Sequence, residues 1–286
     1  MENNIARLRI TCPDQPGIVA RVSNFIYQHG ANITALDQHS SDPEGGQFFM
    51  RLEFQTPHLD VSRATLAETF AQQVAAPYQM DWHLNYAADV KKIAILVSQA
   101  DHALLELLWR WNRGELEATI TQVISNHETL RSAVENFGVP FHYVKIDAQD
   151  KGLTEKKILA LLKDQTDCLV LARYMQILSE DFIAHYPNAV INIHHSFLPA
   201  FAGAQPYQQA YDKGVKLIGA TAHYVTKELD MGPIIDQDIA RVSHRDGVNH
   251  LQEKGRDVER NVLARAVKWH LEDRIIVDGH KTIVFV

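Results

Sequence analysis

The stretch that decides the fold is VINIHHSFLPAFAGAQPY, residues 190–207. It begins as an apolar run that ends in polar side chains, and it continues as a loop rich in Pro, Gly and Ala. Residues two apart on a strand face the same side of a sheet, so Asn192 and His194 are predicted to point together into one pocket. They would set a donor amide beside a titratable imidazole. In a regular strand, His195 would face the opposite side.

The sequence around this stretch predicts a parallel sheet. KKIAILVS, ATITQVIS, PFHYVKI and CLVLA are apolar runs of strand length, separated by amphipathic helical patterns. Such alternation favours a mostly parallel sheet covered on both faces, in which ligands bind at the carboxyl ends of the strands. Asn192 and His194 lie at such an end. The last segment, RIIVDGHKTIVFV, predicts a hairpin that turns at Asp278-Gly279.

The first part of the chain predicts a second, smaller domain. RLRITC, NITALDQHSS, GQFFMRLEFQ and YQMDWHLNY have the patterns of strands, and the third alternates Phe48, Met50, Leu52 and Phe54 with other residues. Two helical patterns separate them, and the first places Ile18, Val22, Phe25 and Ile26 on one stripe and ends at Gly30. The order βαββαβ predicts a ferredoxin-like sandwich. We therefore predict an α/β protein with a ferredoxin-like domain at 1–85 and a Rossmann-like, mostly parallel α/β domain at 86–286.

Composition limits the class of function. The formal charge is −7, and no cluster of Lys and Arg with interleaved aromatics is present, so we predict no nucleic-acid partner. The start resembles no signal peptide and no apolar run reaches about 18 residues, so we predict a cytoplasmic protein without a membrane partner. Cys12 and Cys168 lie in apolar runs, which favours reduced core thiols. The fifteen histidines show no HExxH or paired CxxC spacing, so no metal is predicted.

Residues 12–40, CPDQPGIVARVSNFIYQHGANITALDQHS, resemble an ACT domain, a module that binds amino acids at a dimer interface. The resemblance implies an amino-acid effector and a homo-oligomer. Asp14 and Gly17 shape a loop at a helix N-terminus, where free N–H groups can hold a carboxylate. Asn32 follows the helix, where such domains often contact the ligand. Alternatively, Gly17 and Asn32 are only turn and cap residues.

NIHHSFLPAF, taken together with GVKLIGATAHYVTKELDMGPIIDQ, resembles the catalytic half of the folate-dependent formyltransferase fold. The resemblance implies an active site of Asn192, His194 and Asp230. Attack on a formyl carbon puts negative charge on its oxygen, which an Asn amide and a protonated His can stabilise. Asp230 would favour imidazolium and orient or deprotonate a water. The alternative roles are a strand-end cap, a satisfied core histidine and a turn residue.

The same resemblance implies a folate pocket. RYMQIL, residues 173–178, corresponds to the segment that lines the pterin pocket, and the loop that follows TAHY would form the other wall. The predicted substrate-binding residues are Met175, Ile177, Leu178, Val225, Lys227, Glu228 and Leu229. Apolar side chains such as these often serve only the core. No tightly bound cofactor is predicted; 10-formyltetrahydrofolate is the expected substrate.

The acceptor of the formyl group is predicted from the first strand of the larger domain. IAILVS runs into Gln99-Ala100-Asp101-His102, which has no glycine, whereas a phosphate is usually cradled by a Gly-rich loop. Asp101 would repel a ribonucleotide phosphate, so water is the default acceptor. The whole chain resembles the formyltetrahydrofolate deformylase family, through DQPGIVA, LARYMQIL and KGRDVERNVLARAVKWHLEDR among other stretches. This implies hydrolysis to formate and tetrahydrofolate, a step connected to one-carbon and purine metabolism.

Two other functions stay open at this point: a formyltransferase that uses a small amine, and a non-catalytic amino-acid sensor. Two histidines have open roles. His195 is expected to pack or, if the strand end bulges, to position water. His223 is expected either to support Asp230 or to be a satisfied strand histidine. GRDVERNVLARAVKWHLED is expected to pack through a helical stripe of Val258, Val262 and Ala266.

Overall fold

The computed structural model describes residues 4–42, 44–147, 150–199 and 206–286. The chain forms two compact units. The first takes in the chain up to Val90 together with Asp273–Ile276 and Ile283–Val286, and the second takes in Lys91–Glu272 and Val277–Thr282. The division at residue 85 remains a prediction. That two short C-terminal segments pack with the first unit was not foreseen, because local sequence patterns carry no signal for a partner more than 180 residues away.

The first unit is built on a four-stranded antiparallel sheet. Its strands are β1 (Ile5–Pro13), β2 (Ile33–Ser40), β3 (Gln47–Gln55) and β4 (Asp81–Tyr86), and its helices are α1 (Ile18–Gln28) and α2 (Arg63–Phe70), which a π-helical turn, Ala71–Ala75, continues. The strands lie in the order β2-β3-β1-β4. This is the predicted βαββαβ arrangement. The DPEGG turn includes Pro43, which lies outside the described residues.

The helices cover one face of this sheet because each presents an apolar stripe. The predicted stripe of α1 is buried: Ile18, Val22, Phe25 and Ile26. α1 ends at Gln28, and Gly30 follows with a φ of 75°, the left-handed conformation that glycine adopts without strain. Phe70 of α2 packs edge-on against the rings of Phe25 and Trp82, 5.4 and 4.9 Å away. These contacts form one continuous core.

The other face of β3 is also covered, although its pattern predicted a single buried face. Phe49 lies in a buried cluster with Ile276 and Phe285 from the C-terminal segments. Arg51 is 2% exposed, and its Nε donates a hydrogen bond to the carbonyl oxygen of Asp273 at 3.0 Å. A buried guanidinium needs such partners because desolvation without them is costly. The C-terminal segments therefore complete the first unit.

The second unit has a seven-stranded sheet in the order β11-β10-β9-β8-β5-β6-β7. The strands are β5 (Lys91–Val97), β6 (Ala118–Ser125), β7 (Phe141–Tyr143), β8 (Cys168–Leu171), β9 (Val190–His194), β10 (Leu217–Tyr224) and β11 (Ile234–Arg241). The helices are α3 (His102–Asn112), α4 (Arg131–Glu135), α5 (Lys151–Leu162), α6 (Glu180–Ile183), α7 (Pro206–Asp212) and α8 (Val248–Leu271). The run from β5 to β9 is parallel, and β10 and β11 are antiparallel additions. The predicted mostly parallel sheet is thus confirmed.

The chain ends in the predicted hairpin of β12 (Ile275–Asp278) and β13 (Lys281–Val284), which turns through Gly279 at a φ of 57°. Cys12 and Cys168 are buried free thiols. None of the helices in the described part of the chain combines the length and the hydropathy needed to cross a membrane.

The aromatic contacts of Phe70 give a test of the core of the first unit. Phe70→Ala should lower the free energy of unfolding of this unit by about 3–5 kcal/mol, because it removes a buried ring and leaves a cavity. Denaturant titration followed by fluorescence measures this change. Tyr27→Ala is the control, because Tyr27 on the neighbouring helix α1 is 77% exposed. It should change the free energy of unfolding by about 0.5 kcal/mol or less. Equal effects of the two changes would contradict this packing.

Candidate active site

The strand that ends in Asn192 and His194 opens into a cavity of the second unit, which has a volume of about 1040 Å³. The parallel strands β8 and β9 end at this cavity, as expected for a ligand site in such a sheet. Both Asn192 and His194 line it, so the predicted shared orientation is correct. They lie opposite His223 and Thr221 in the antiparallel pairing of β9 with β10.

His195 also lines the cavity. The regular-strand prediction, which placed it on the opposite side from His194, does not hold, because β9 ends at His194 and the backbone bends at the next residue. The two imidazole rings are 5.2 Å apart between centroids. Two adjacent histidines thus reach one pocket, which the strand period alone forbids.

Asp230 lies between two histidines. Its Oδ2 is 3.2 Å from Nδ1 of His194, and its Oδ1 is 3.6 Å from Nε2 of His223. Hydrogen bonds from His194 and then from His223 hold the pKa of the Asp230 carboxyl well below its usual range, although partial burial opposes this. The ionised carboxylate fixes the orientation of the His194 ring through Nδ1.

His223 joins Asn192 to this pair. Its Nδ1 donates to the carbonyl oxygen of Tyr224 at 2.9 Å, and its Nε2 lies 3.2 Å from Nδ2 of Asn192. Nε2 of His223 therefore lies between the Asn192 amide and the Asp230 carboxylate. His223 is 2% exposed, so these contacts fix its ring. Both of its predicted roles are compatible with this position, since it is a satisfied strand histidine that also faces Asp230.

Nε2 of His194 is buried and has no hydrogen-bond partner among the described residues. Since Nδ1 faces Asp230, this nitrogen is the one left for a ligand. An unpaired polar atom in a buried position costs free energy in the empty protein. The unpaired Nε2 atom therefore indicates that His194 occupies a binding or catalytic position.

The loop that carries Asp230 is held tightly against the end of β10. Asp230 has a φ of 56°, a left-handed conformation that Asp tolerates better than most residues. At Gly232, a Cβ atom would lie only 1.7 Å from the carbonyl oxygen of Tyr224. Only glycine therefore allows the loop to approach the strand closely enough to bring Asp230 to His194.

The predicted substrate-binding residues all line this cavity: Met175, Ile177, Leu178, Val225, Lys227, Glu228 and Leu229. Met175, Ile177 and Leu229 are 59%, 59% and 62% exposed, so they are not core residues in this structure. Leu178 and Val225 also pack in the core, as the alternative interpretation expected. Exposed apolar walls beside a few polar groups are typical of a small-molecule pocket.

Arg173, His195 and His280 line the cavity as well, and none of them was in the predicted site. One alanine separates Arg173 from the end of β8. Ligands bind at the carboxyl ends of the strands in such a sheet, so the sequence already indicated that this position could be functional. His280 is brought in by the turn of the C-terminal hairpin, and no local pattern could indicate that. The described ranges, this cavity included, hold no group of three His, Cys, Asp or Glu side chains placed to bind a metal.

The residues predicted to hold a regulatory ligand lie in the first unit. The side chain of Asp14 accepts a hydrogen bond from the hydroxyl of Ser40, and Gly17 begins α1 with a φ of 94°. Within the described part of the chain no side chain caps this helix, so its first N–H groups have no side-chain cap partner there. Asn32 is exposed, and its carbonyl oxygen accepts from the backbone N–H of Gln55 at 2.9 Å.

Comparison with known proteins agrees with both units. The formyl transferase family matches residues 91–267, and the ACT domain family matches residues 6–69. A curated relative from Bacillus subtilis, formyltetrahydrofolate deformylase, is 55% identical over 98% of this chain and 93% of its own. The chain belongs to the formyltetrahydrofolate deformylase family. A further relative of that name, from Synechocystis, is 50% identical over the full length of both chains.

Solved structures of this family have the same fold. A formyltetrahydrofolate deformylase from Pseudomonas syringae superposes with a TM-score of 0.95, at 48% identity, over 99% of this chain and 94% of its own. A glycinamide ribonucleotide transformylase from Symbiobacterium toebii superposes with a TM-score of 0.66, at 27% identity, and covers 69% of this chain and 95% of its own. The family therefore combines a transformylase-like unit with an added ACT unit.

The close contact at Gly232 gives a test of the site. Gly232→Ala should lower the activity of the protein at least about tenfold, because its Cβ must push the loop and Asp230 away from His194. Steady-state kinetics measures the loss of activity, and a circular dichroism spectrum shows whether the variant is folded. Gly247→Ala is the matched control, since nothing lies within 4 Å of its Cβ position. A fully active, folded Gly232→Ala protein would contradict the tight loop.

Proposed function

We propose that the chain hydrolyses 10-formyltetrahydrofolate to formate and tetrahydrofolate in the cavity of its second unit. The observation that carries this proposal is the contact between His194 and Asp230, 3.2 Å apart beside Asn192 at the end of β9. The named deformylases that resemble this chain at 45–55% identity over nearly its full length support it.

The chemistry follows from the charges at the site. Water forms a bond to the formyl carbon, the bond from that carbon to N10 breaks, and N10 takes a proton. The amide of Asn192 and the protonated His194 ring stabilise the negative charge that develops on the formyl oxygen. Asp230 lies against Nδ1 of His194 and orients or activates the water. His194 gives its proton to N10, and the proton that water loses restores it.

The apolar walls hold the folate. Met175, Ile177 and Leu178 form one side and the loop from Val225 to Leu229 forms the other, with Lys227 and Glu228 at its exposed part. Burying a pterin ring against such side chains gives about 25 cal/mol per Å² of apolar surface removed from water. The backbone groups of both segments can read the polar edge of the ring.

The decisive test is formate release from 10-formyltetrahydrofolate without any amine. The wild-type protein should release formate, and Asp230→Asn should reduce kcat by about 100-fold or more because His194 loses its negative partner. Asp257→Asn is the control, since its side chain is 66% exposed and pairs only on the surface of α8. An Asp230→Asn protein that releases formate at the wild-type rate would contradict the catalytic role of this carboxylate.

The same assay separates the alternatives. A transferase that uses an amine would release no formate until glycinamide ribonucleotide or a smaller amine is added, and a sensor would turn over neither mixture. Because the second unit resembles the Symbiobacterium toebii transformylase, the assay with an added amine is part of the test. We infer that water is the acceptor, because the segment from Gln99 to His102 has no glycine to cradle a phosphate.

We further propose that the first unit binds a small amino acid and pairs with a second copy, as ACT domains do, and that the protein works in the cytoplasm. Asp14 and the open N–H groups at Gly17 would hold the amino and carboxyl groups of the effector, and Asn32 would contact it from the end of the helix. The two buried free thiols suit a reducing compartment.

Effector binding can be measured by titrating glycine and methionine into the formate assay. One of them should change the rate of the wild-type protein, and Asp14→Ala should weaken that response at least about tenfold without changing the basal rate, because an ionic partner of the ligand is lost. Asp37→Ala, on an exposed position of β2, should respond like the wild type. An unchanged wild-type rate would count against this role of the first unit.

A further inference from the structure

A buried carboxylate that the proposed mechanism does not use lies behind the cavity. Glu259 on α8 is 1% exposed. Its Oε2 is 2.8 Å from Nε2 of His102 and 3.5 Å from Nε of Arg173, and its Oε1 accepts a hydrogen bond from the hydroxyl of Tyr207 at 2.7 Å. Three other segments of the second unit thus converge on this one charge. We call His102, Arg173, Tyr207 and Glu259 the rear cluster.

The rear cluster is built into the packing of the second unit. Tyr207 crosses α8 at Gly255, where a Cβ atom would lie 2.0 Å from its hydroxyl oxygen, so a glycine is required one turn before Glu259. Burial alone would raise the pKa of Glu259, but the hydrogen bond from His102 and the charge of Arg173 outweigh it and lower this pKa. The carboxylate is therefore ionised and pairs with buried donors.

The rear cluster ends at His195. The ring of Tyr207 lies 6.1 Å from the His195 ring, and Arg173 lines the cavity beside it. Burial and the positive charge of Arg173 lower the pKa of His195 to about 4, His194 adding to this and Glu259 and Asp230 opposing it. His195 is thus a neutral imidazole at neutral pH.

We propose that His195 holds the attacking water through a hydrogen bond to its neutral ring, and that Tyr207, Glu259 and Arg173 position that ring. The proposal deepens the proposed hydrolysis and rests on it. Water needs an acceptor that turns an oxygen lone pair toward the formyl carbon, and a neutral imidazole nitrogen supplies one. His195 does not keep a proton; the water proton passes to His194, as in the proposed mechanism.

The geometry assigns different work to the two adjacent histidines. His194 faces Asp230 and is suited to stabilise negative charge, whereas His195 faces the rear cluster and is suited to accept a hydrogen bond. Their rings are 5.2 Å apart between centroids. A water molecule and a formyl group bound between them would each meet the ring with the appropriate charge.

The test compares kcat and KM for formate release in the full-length protein. His195→Ala should lower kcat by about 100-fold with KM changed less than about threefold, because the water and not the folate loses its partner. His195→Gln keeps an acceptor oxygen and should recover at least about tenfold of that loss. His250→Ala, at an exposed position of α8, is the matched control and should behave as the wild type.

A second variant tests the positioning residues. Tyr207→Phe keeps the ring against His195 and removes only the hydrogen bond to Glu259, so it should lower kcat by roughly fivefold to tenfold at unchanged KM. It also keeps the proposal open to test if His195→Ala fails to fold. A kcat loss in His195→Ala that His195→Gln does not relieve, or a loss that appears in KM alone, assigns packing or folate binding to His195 and overturns the proposal.

Different results of these assays would contradict the proposed hydrolysis and the proposed role of His195. Absence of formate release by the wild-type protein would remove the proposed hydrolysis and this role of His195 with it. Formate release by the wild type, with His195→Ala and Tyr207→Phe within about threefold of its kcat, would leave the hydrolysis intact and remove only the role of His195.

Discussion

The contact between His194 and Asp230 is the constraint on which the functional unit depends. A carboxylate and an imidazole 3.2 Å apart, with the carboxylate ionised, require both groups to be fixed, since neither is fully solvated. β9 fixes the histidine through its pairing with β10, and the tight approach at Gly232 fixes the loop of the aspartate. The strand order, the loop and the antiparallel strand β10 are all needed to bring this one pair together.

The second unit carries two carboxylates that act on different histidines. Asp230 faces His194 at the front of the cavity, and Glu259 lies behind it among His102, Tyr207 and Arg173. Burial and the positive charge of Arg173 lower the pKa of His195, and both carboxylates oppose this shift. The His195 ring is therefore neutral at neutral pH beside the ring that contacts Asp230.

The local sequence pattern predicted the structure correctly wherever a single hydrophobic period, of a strand or of a helix, ran through a segment. The alternating strands and the α1 stripe of the first unit are as expected, and so are the parallel strands that lead to Asn192. It was a poor guide where a partner distant in sequence covered a surface. β3 is buried on both faces because the C-terminal segments pack on it, and Arg51 lies there although an arginine in an alternating strand suggests solvent.

By itself, the sequence determined the fold class, the parallel sheet and the membership of Asn192, His194 and Asp230 in one pocket, because strand period and the resemblance of short motifs are local properties. Only the tertiary structure decided the position of His195, since the strand stops one residue earlier than its pattern suggested. The role of Glu259 was also hidden. Its helical segment was interpreted as apolar packing, and a buried charge is recognisable only when His102, Arg173 and Tyr207 are seen to converge on it from three other parts of the chain.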